Sequence, residues 1–311
     1  MTISAYAKVN FTLEVLGVRP DGYHDLRSVV VPVSLADEVS LEPAEDVTLV
    51  VDWSGGRGAT ALPWRSRETR DPTGGARDLA GGAEDNLAVR AARLMQRVSG
   101  RKDGVAIALE KRIPVGGGLG GGSADAAAVM NGLNEMWRLG IPRKELAALG
   151  AEIGSDVPAL VLGGVVLMEG RGERVSLLDG RETTDARRER LHLVLVNPGV
   201  FCSTPEIFKA FDAHLPNRPE IFYNIRLAMQ SGDDVAVARA LQNDLAATAM
   251  RLHPEIEAAK RRLETAGCLG ASMSGSGATV FGIARDAADA CRIARELESE
   301  GLWSVVAETV R

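Results

Sequence analysis

The feature that most constrains this chain is a run of glycine, 116-GGGLGGG-122, lying between two segments of regular character. Ahead of it, VAIALE from Val105 to Glu110 is apolar and β-rich and predicts a strand. Behind it, a helix is predicted from Ser123 to about Leu139, with Gly140 and Pro142 as its stop. A glycine run at a strand-to-helix junction gathers backbone amides and a helix N-terminus in one place, the arrangement that holds phosphate. A flexible linker does not explain it, because both flanks are regular and Ala124 to Ala128 is strongly helix-forming. The run also accounts for part of a glycine excess, 34 of 311 residues, or about 11% against about 7% in ordinary chains.

Two common phosphate loops fit poorly. A P-loop requires GxxxxGK[ST], and Gly122 is followed by Ser123 with no lysine. Gly116, Gly118 and Gly121 satisfy GxGxxG, but a run this rich in glycine matches almost any such pattern. That fingerprint also needs an acidic residue at the end of a second parallel strand, and Glu135 falls inside the continuing helix.

The rest of the chain reads as mixed α and β. Ile3 to Leu16 alternates as a strand and breaks at Arg19-Pro20-Asp21-Gly22, a turn; Val29 to Leu35, Glu38 to Leu41 and Val47 to Val51 are β-rich. Trp53 to Gly82 has neither period and is expected to be a long surface excursion. From Asp85 the pattern is helical, with Leu87, Ala91, Leu94, Met95 and Val98 on one face and Gly100 as the stop. A helix over Arg143 to Ile153, a turn over Gly154 to Pro158 and strands around Val161 to Glu169 follow. The charged run 179-DGRETTDARRER-190 is the expected domain junction, giving domains 1–178 and 179–311. Beyond it are a strand over Leu191 to Val196, several helices through Ala266, a strand-loop-strand around 271–284, and a last helix and strand.

Composition excludes other classes. Lysine and arginine total 36 against 42 acidic residues, a net charge of −6, which argues against a general nucleic-acid binder or a partner for acidic membranes. Cys202, Cys268 and Cys291 are odd in number and lack metal-ligand spacing, and the four histidines form no HExxH pair. The apolar stretch Ala159 to Met168 is too short to span a bilayer. A soluble, cytoplasmic protein is expected, without a signal peptide, since Lys8 precedes any apolar run.

The full stretch 114-PVGGGLGGGSADA-126 resembles the central motif of the GHMP kinase superfamily. Two further segments carry the likeness: 5-AYAKVNFTLEVLGVRPDGYHDL-26 resembles that family's first motif and 271-ASMSGSGATVF-281 its third. DGYH (Asp21 to His24), EDNL (Glu84 to Leu87), GSDVP (Gly154 to Pro158) and 197-NPGVFCSTPEIFKAF-211 resemble the branch that acts on a cytidine-diphosphate-bearing methylerythritol. The resemblance covers nearly the whole chain in order. It implies an α+β fold of two domains, the first with the ribosomal-protein-S5-like β-α-β arrangement and the ATP loop, the second ferredoxin-like. It also implies phosphorylation of the substrate's 2-hydroxyl from ATP with Mg2+, in the non-mevalonate route to isoprenoid precursors. Departures are Tyr6 in place of proline, Ser155 in place of alanine and Ala124 in place of a second loop serine.

The same resemblance assigns roles. Pro114, Val115, Gly116, Gly117, Gly118, Leu119, Gly120, Gly121, Gly122, Ser123 and Ala124 would wrap the triphosphate. A tertiary alcohol is a poor nucleophile and needs a carboxylate to accept its proton, a part that falls to Asp156, while the Lys8 ammonium would stabilise negative charge. Taken singly, Asp156 reads as a turn or N-cap residue and Lys8 as a solvated strand lysine; their occurrence with the glycine motif reverses that. Tyr23 and Phe208 would stack on cytosine, His24 would read its edge, and Asn10 would hold the erythritol or phosphate end. The partner is then a small molecule, with no nucleic acid and no membrane, and the protein a monomer or homodimer; the protein ligands of the metal are not assigned. A relative acting on homoserine or mevalonate would not need DGYH or the TPEIF run. A non-catalytic RNA-binding protein with an S5-like fold would not need both Lys8 and Asp156.

Overall fold

The computed structural model describes residues 1–53, 85–178, 190–211 and 220–310. Two long strands open the chain, β1 (Thr2–Val18) and β2 (His24–Ala44), followed by β3 (Thr48–Asp52), α1 (Leu87–Ser99), β4 (Gly104–Glu110) and α2 (Gly121–Met136). Then come α3 (Arg143–Gly150), α4 (Val157–Leu162), β5 (Val166–Gly170) and β6 (Arg174–Leu177). After the charged run lie β7 (His192–Asn197), α5 (Thr204–Ala210), α6 (Glu220–Ser231), α7 (Asp234–Ala240), β8 (Gln242–Asn243) and α8 (Ala246–Leu252). The chain closes with α9 (Pro254–Thr265), β9 (Gly270–Met273), β10 (Val280–Ile283), α10 (Ala287–Ser299) and β11 (Trp303–Glu308).

Local chemistry explains many of the boundaries. Between β1 and β2, Asp21 accepts from the Tyr23 amide at 3.1 Å and Gly22 takes φ +83°. Helix α1 begins where Asn86 accepts from the Ala88 amide at 2.9 Å and ends at Gly100 in the left-handed region. Val29–Leu35 and Glu38–Leu41 are parts of one continuous strand, β2. Helix α2 starts at Gly121, two residues earlier than the sequence suggests. A Cβ on Gly121 would lie 3.0 Å from the Ile113 side chain, so packing rather than propensity sets this helix start. The strand expected around Val161 is corrected. Val161 and Leu162 complete α4, which Pro158 pre-organises in its first turn, and β5 begins only at Val166. The helix from Arg143 likewise stops at Gly150, and Ala151–Ile153 form a turn.

The chain divides into two compact units. One comprises Met1–Ala7, Leu35–Val115 and Gly120–Gly163. In it β3 runs parallel to β4 with α1 between them in sequence, and β4 pairs antiparallel with the second half of β2, Leu41 opposite Ile107. This is the expected β-α-β arrangement. Leu94 and Met95 of α1, Met130 and Leu133 of α2, and Leu41, Ile107 and Leu109 of the sheet are fully buried there. Removing such a side chain costs about 2–5 kcal/mol.

The other unit comprises Lys8–Ser34, Gly116–Leu119 and Gly164–Arg311. Its four-stranded sheet has the order β11-β7-β10-β9, every neighbouring pair antiparallel, with α9 and α10 packed on it. Read along the chain, these elements form the β-α-β-β-α-β pattern of a ferredoxin-like domain, as expected. In the same unit the first half of β2 pairs with β5, β5 with β6, and β1 runs parallel to β8. Phe11 of β1 and Phe281 of β10 stack with centroids 6.0 Å apart and are fully buried. Most of the expected excursion (54–82), Glu84, and 179–189 of the expected junction lie outside the described residues. Among the described residues no helix is long and apolar enough to cross a membrane.

Candidate active site

In the larger unit, residues Gly116 to Leu119 are stitched to the third glycine-rich motif. The Thr279 amide donates to the Gly117 carbonyl at 3.1 Å, and the Ser274 hydroxyl donates to the Gly118 carbonyl at 2.9 Å. Gly118 has φ +74°, and a Cβ there would lie 2.1 Å from the Ser274 carbonyl oxygen. No side chain fits, so the close backbone approach itself requires glycine. At Gly116 the space is taken by the exposed ring of Phe201, which a Cβ would meet at 2.6 Å. Two segments that each look like a phosphate loop in sequence thus form one hydrogen-bonded assembly.

Lys8 belongs to the same assembly. Its amide donates to the Leu119 carbonyl at 3.0 Å, and its ammonium donates to Asn10 Oδ1 at 2.8 Å. Only 3% of Lys8 is exposed, which removes the reading as a solvated strand lysine. Asn10 is a hub. Its Oδ1 also accepts from the Gly275 amide at 2.9 Å, and its Nδ2 donates to Ser28 Oγ at 2.8 Å. One Nδ2 hydrogen is left over after these bonds. Asn243, which sequence reasoning passed over, secures the third motif from below: its Nδ2 donates to the Met273 and Gly275 carbonyls, each at 2.8 Å. Nothing in the local pattern of Asn243 announces this, because its partners are distant in the chain.

His24 and Phe208 are brought together, with ring centroids 4.9 Å apart, and Phe211 meets His24 edge-on at 6.2 Å. Two stacking distances of about 3.5 Å would be needed to seat a base between His24 and Phe208. The rings touch instead, so a flat ligand would lie on an outer face of the pair. Burial lowers the His24 pKa, which favours the neutral imidazole with one donor and one acceptor nitrogen. Tyr23 is exposed, and the Arg171 guanidinium lies 5.5 Å from its ring centroid. Thr204, at the start of α5, shares a hydrogen bond of 2.7 Å with Ser276 Oγ, tying the helix of Phe208 to the third motif.

The smaller unit holds the flanks of the glycine loop and Asp156. Pro114 is buried and Val115 exposed at its entrance. Gly120 is the N-cap of α2 without any side-chain cap, and no acidic residue stands in the first turn. The amides of Gly121, Gly122 and Ser123 are therefore available at the positive end of the helix dipole, a setting that fits an anion. Ala124 is buried behind them. A Cβ on Gly154 would lie 3.9 Å from Ser123 Oγ, so the loop serine sits beside the turn that leads into Asp156. Asp156 occupies the N-cap position of α4, but its carboxylate makes no capping hydrogen bond to that helix. Among the described residues no group of three His, Cys, Asp or Glu side chains is placed to hold a metal ion.

The smaller unit also holds a buried cluster that sequence reasoning did not single out. The Lys111 ammonium contacts both Asp37 and Asp125, and Asp37 Oδ1 accepts from the Arg112 and Ile113 amides, the latter at 2.8 Å. Burial and the Asp37 charge push the Asp125 carboxyl up to about 7 against the pull of Lys111. Burial works against the Lys111 charge, but the two carboxylates outweigh it and raise its pKa.

Residues 86–164 match the family model for the GHMP kinases N terminal domain, and residues 225–301 match GHMP kinases C terminal. The 4-diphosphocytidyl-2-C-methyl-D-erythritol kinase of Symbiobacterium thermophilum is 41% identical over 288 residues, covering 92% of this chain and 91% of its own. That of Moorella thermoacetica is 38% identical over 313 residues, covering 100% and 99%. A crystal structure of 4-(cytidine 5'-diphospho)-2C-methyl-D-erythritol kinase superposes with TM-score 0.75 and 32% identity over 100% of both chains. Homoserine kinase from Cytophaga hutchinsonii, 20% identical with TM-score 0.69 over 99% of this chain and 94% of its own, shares the fold.

Proposed function

The chain belongs to the GHMP kinases and, within them, to the 4-diphosphocytidyl-2-C-methyl-D-erythritol kinases, and on that premise we propose that it transfers the γ-phosphoryl group of ATP to the 2-hydroxyl of 4-diphosphocytidyl-2-C-methyl-D-erythritol. This step belongs to the non-mevalonate route to isoprenoid precursors. The observation that carries the reading is likeness over essentially the whole chain to kinases of that one name, joined to a glycine loop that ends on an uncapped helix N-terminus. The two family matches fall on either side of residues 179–190, which supports family domains over 1–178 and 179–311.

In the proposed reaction, Pro114 to Ala124 hold the triphosphate. The loop glycines admit phosphate oxygens close to the backbone, and the amides at the start of α2 face them with the favourable end of the dipole. The substrate's 2-hydroxyl loses its proton to the Asp156 carboxylate as its oxygen bonds to the γ-phosphorus and the bond to the β-phosphate oxygen breaks, releasing ADP. The Lys8 ammonium, fixed by Asn10, stabilises negative charge on the reacting oxygens. Asn10 both aims Lys8 and retains an amide hydrogen for an oxygen of the erythritol or its phosphate. A magnesium ion brought with the nucleotide would supply charge neutralisation. Phosphate oxygens and water would hold most of it, with the Ser123 hydroxyl at the helix start within reach. Cytosine stacks on Phe208 with Tyr23 beside it, and the neutral His24, packed next to Phe208, reads the base edge through its ring nitrogens.

The test is a coupled ADP-release assay with the cytidyl substrate beside homoserine and mevalonate. Turnover with the cytidyl substrate alone is expected; preferential turnover of either other alcohol would reassign the substrate.

A further inference from the structure

The Asp37–Lys111–Asp125 cluster has no part in the chemistry proposed above, yet it stands at both ends of the glycine loop. Asp37 is 1% exposed, Lys111 6% and Asp125 3%. Lys111, Arg112 and Ile113 precede the loop, and all three are held by Asp37: the first through its ammonium, the other two through their amides. Asp125 lies just past the loop, on the second turn of α2, and binds the same ammonium. The first residue of that helix rests directly on this base, since a Cβ on Gly121 would lie 3.0 Å from Ile113 Cγ2 and 3.6 Å from Asp37 Oδ2.

As a source of stability the cluster is a poor arrangement. Two acidic side chains share one ammonium away from water, and Asp125 Oδ1 has no hydrogen-bond partner. Apolar side chains of similar volume would hold the same elements together at least as well, because desolvating buried charges offsets most of their attraction. What apolar packing cannot supply is direction. A lysine shared between two carboxylates fixes the distance and angle between the strand end and the helix start, and so fixes the closure of the loop between them.

We propose that Asp37, Lys111 and Asp125 are positioning residues for the nucleotide loop, clamping residues 111–113 to the start of α2 so that the loop amides are set for the phosphates before ATP arrives. The proposal rests on the reading of residues 114–124 as the ATP site.

The test compares ATP affinity by calorimetry with the KM for the cytidyl substrate in the full-length protein. Asp125→Leu keeps the branching at Cγ and leaves Lys111 paired with Asp37, so it removes the link without stranding a charge. It is expected to weaken ATP binding about tenfold, the scale of one lost charge-assisted hydrogen bond, while the acceptor KM stays within about twofold. Asp125→Asn keeps an oxygen for Lys111 and is expected to restore most of the affinity, which a merely space-filling role would not require. Should Asp125→Leu not fold, Asp125→Ser, too short to reach Lys111, takes its place. Unchanged ATP affinity in a folded Leu or Ser variant overturns the proposal, as does an Asn variant that loses as much as Leu. Gly118→Ala measured alongside separates the two levels: if it too binds ATP normally, the loop reading itself fails, whereas loss in Gly118→Ala alone refutes only the clamp.

Discussion

Substituting Gly118 by alanine tests whether the two glycine-rich motifs are locked together as the structure places them. Two costs are expected. At φ +74° an alanine is strained by about 1–2 kcal/mol. Its Cβ would also lie 2.1 Å from the Ser274 carbonyl oxygen and 2.9 Å from that of Gly277, far inside contact distance, and both neighbours are backbone. The motifs must separate by close to an ångström. That movement strains the bond from the Gly277 amide to the Ser274 carbonyl and the bond from Ser274 Oγ to the Gly118 carbonyl. Leaving one such buried group unsatisfied costs about 1–3 kcal/mol, so the whole change comes to roughly 2–5 kcal/mol.

Gly140 provides a matched control. It has φ +67° but nothing within 4 Å of its Cβ position, so Gly140→Ala carries the backbone strain alone. At roughly 2–4 °C per kcal/mol, Gly118→Ala should lower Tm by about 4–20 °C and Gly140→Ala by about 2–8 °C. ATP affinity should fall in either case; where the strain is released by the loop letting go, the Tm change shrinks and the loss of affinity grows to tenfold or more while Gly140→Ala binds normally. Thermal unfolding and calorimetry on the same samples cover both outcomes. A Gly118→Ala protein that matches Gly140→Ala in Tm and wild type in ATP affinity would refute the close approach.

Asp156→Asn is expected to retain ATP and substrate binding while kcat falls by about 10²–10⁴, the range for a positioned general base; near-normal turnover would leave catalysis to positioning and Lys8. Phe208→Ala should raise KM for the cytidyl substrate by the equivalent of about 1–3 kcal/mol without affecting ATP affinity, and a rise in the ATP KM alone would assign this aromatic pair to the other nucleotide. The Asp125 carboxyl, pushed up to about 7, retains a proton in the folded chain that an ordinary carboxyl releases near pH 4. The folded state therefore binds more protons than the unfolded one between about pH 4 and 7, and this group makes stability fall as pH rises through that window. Asp125→Asn should gain Tm relative to wild type as pH is raised from 5 to 8, and parallel profiles would place the titration elsewhere.

What the amino-acid sequence determined by itself is what short-range chemistry controls. Asn86 and Gly100 cap α1 because a side-chain oxygen and a missing Cβ act within one turn. The strand before the glycine loop and the helix after it could be read for the same reason, and the three motifs in their order carried the family. The resemblance also puts the third motif, a glycine loop, beside the second; which groups join them it does not say. The amide of Gly275 reaches Asn10, and Ser274 reaches Gly118, across most of the chain's length, and no local period records such a meeting. Burial of Lys8 was likewise invisible, because a lysine on a strand becomes a fixed ammonium only when Asn10 and the glycine loops enclose it. Nothing in the local pattern around Asp37, Lys111 or Asp125 sets them apart from solvated charges. Only the fold, by bringing β2, the end of β4 and the first turns of α2 to one point, excludes water there and turns three ordinary side chains into a single buried cluster.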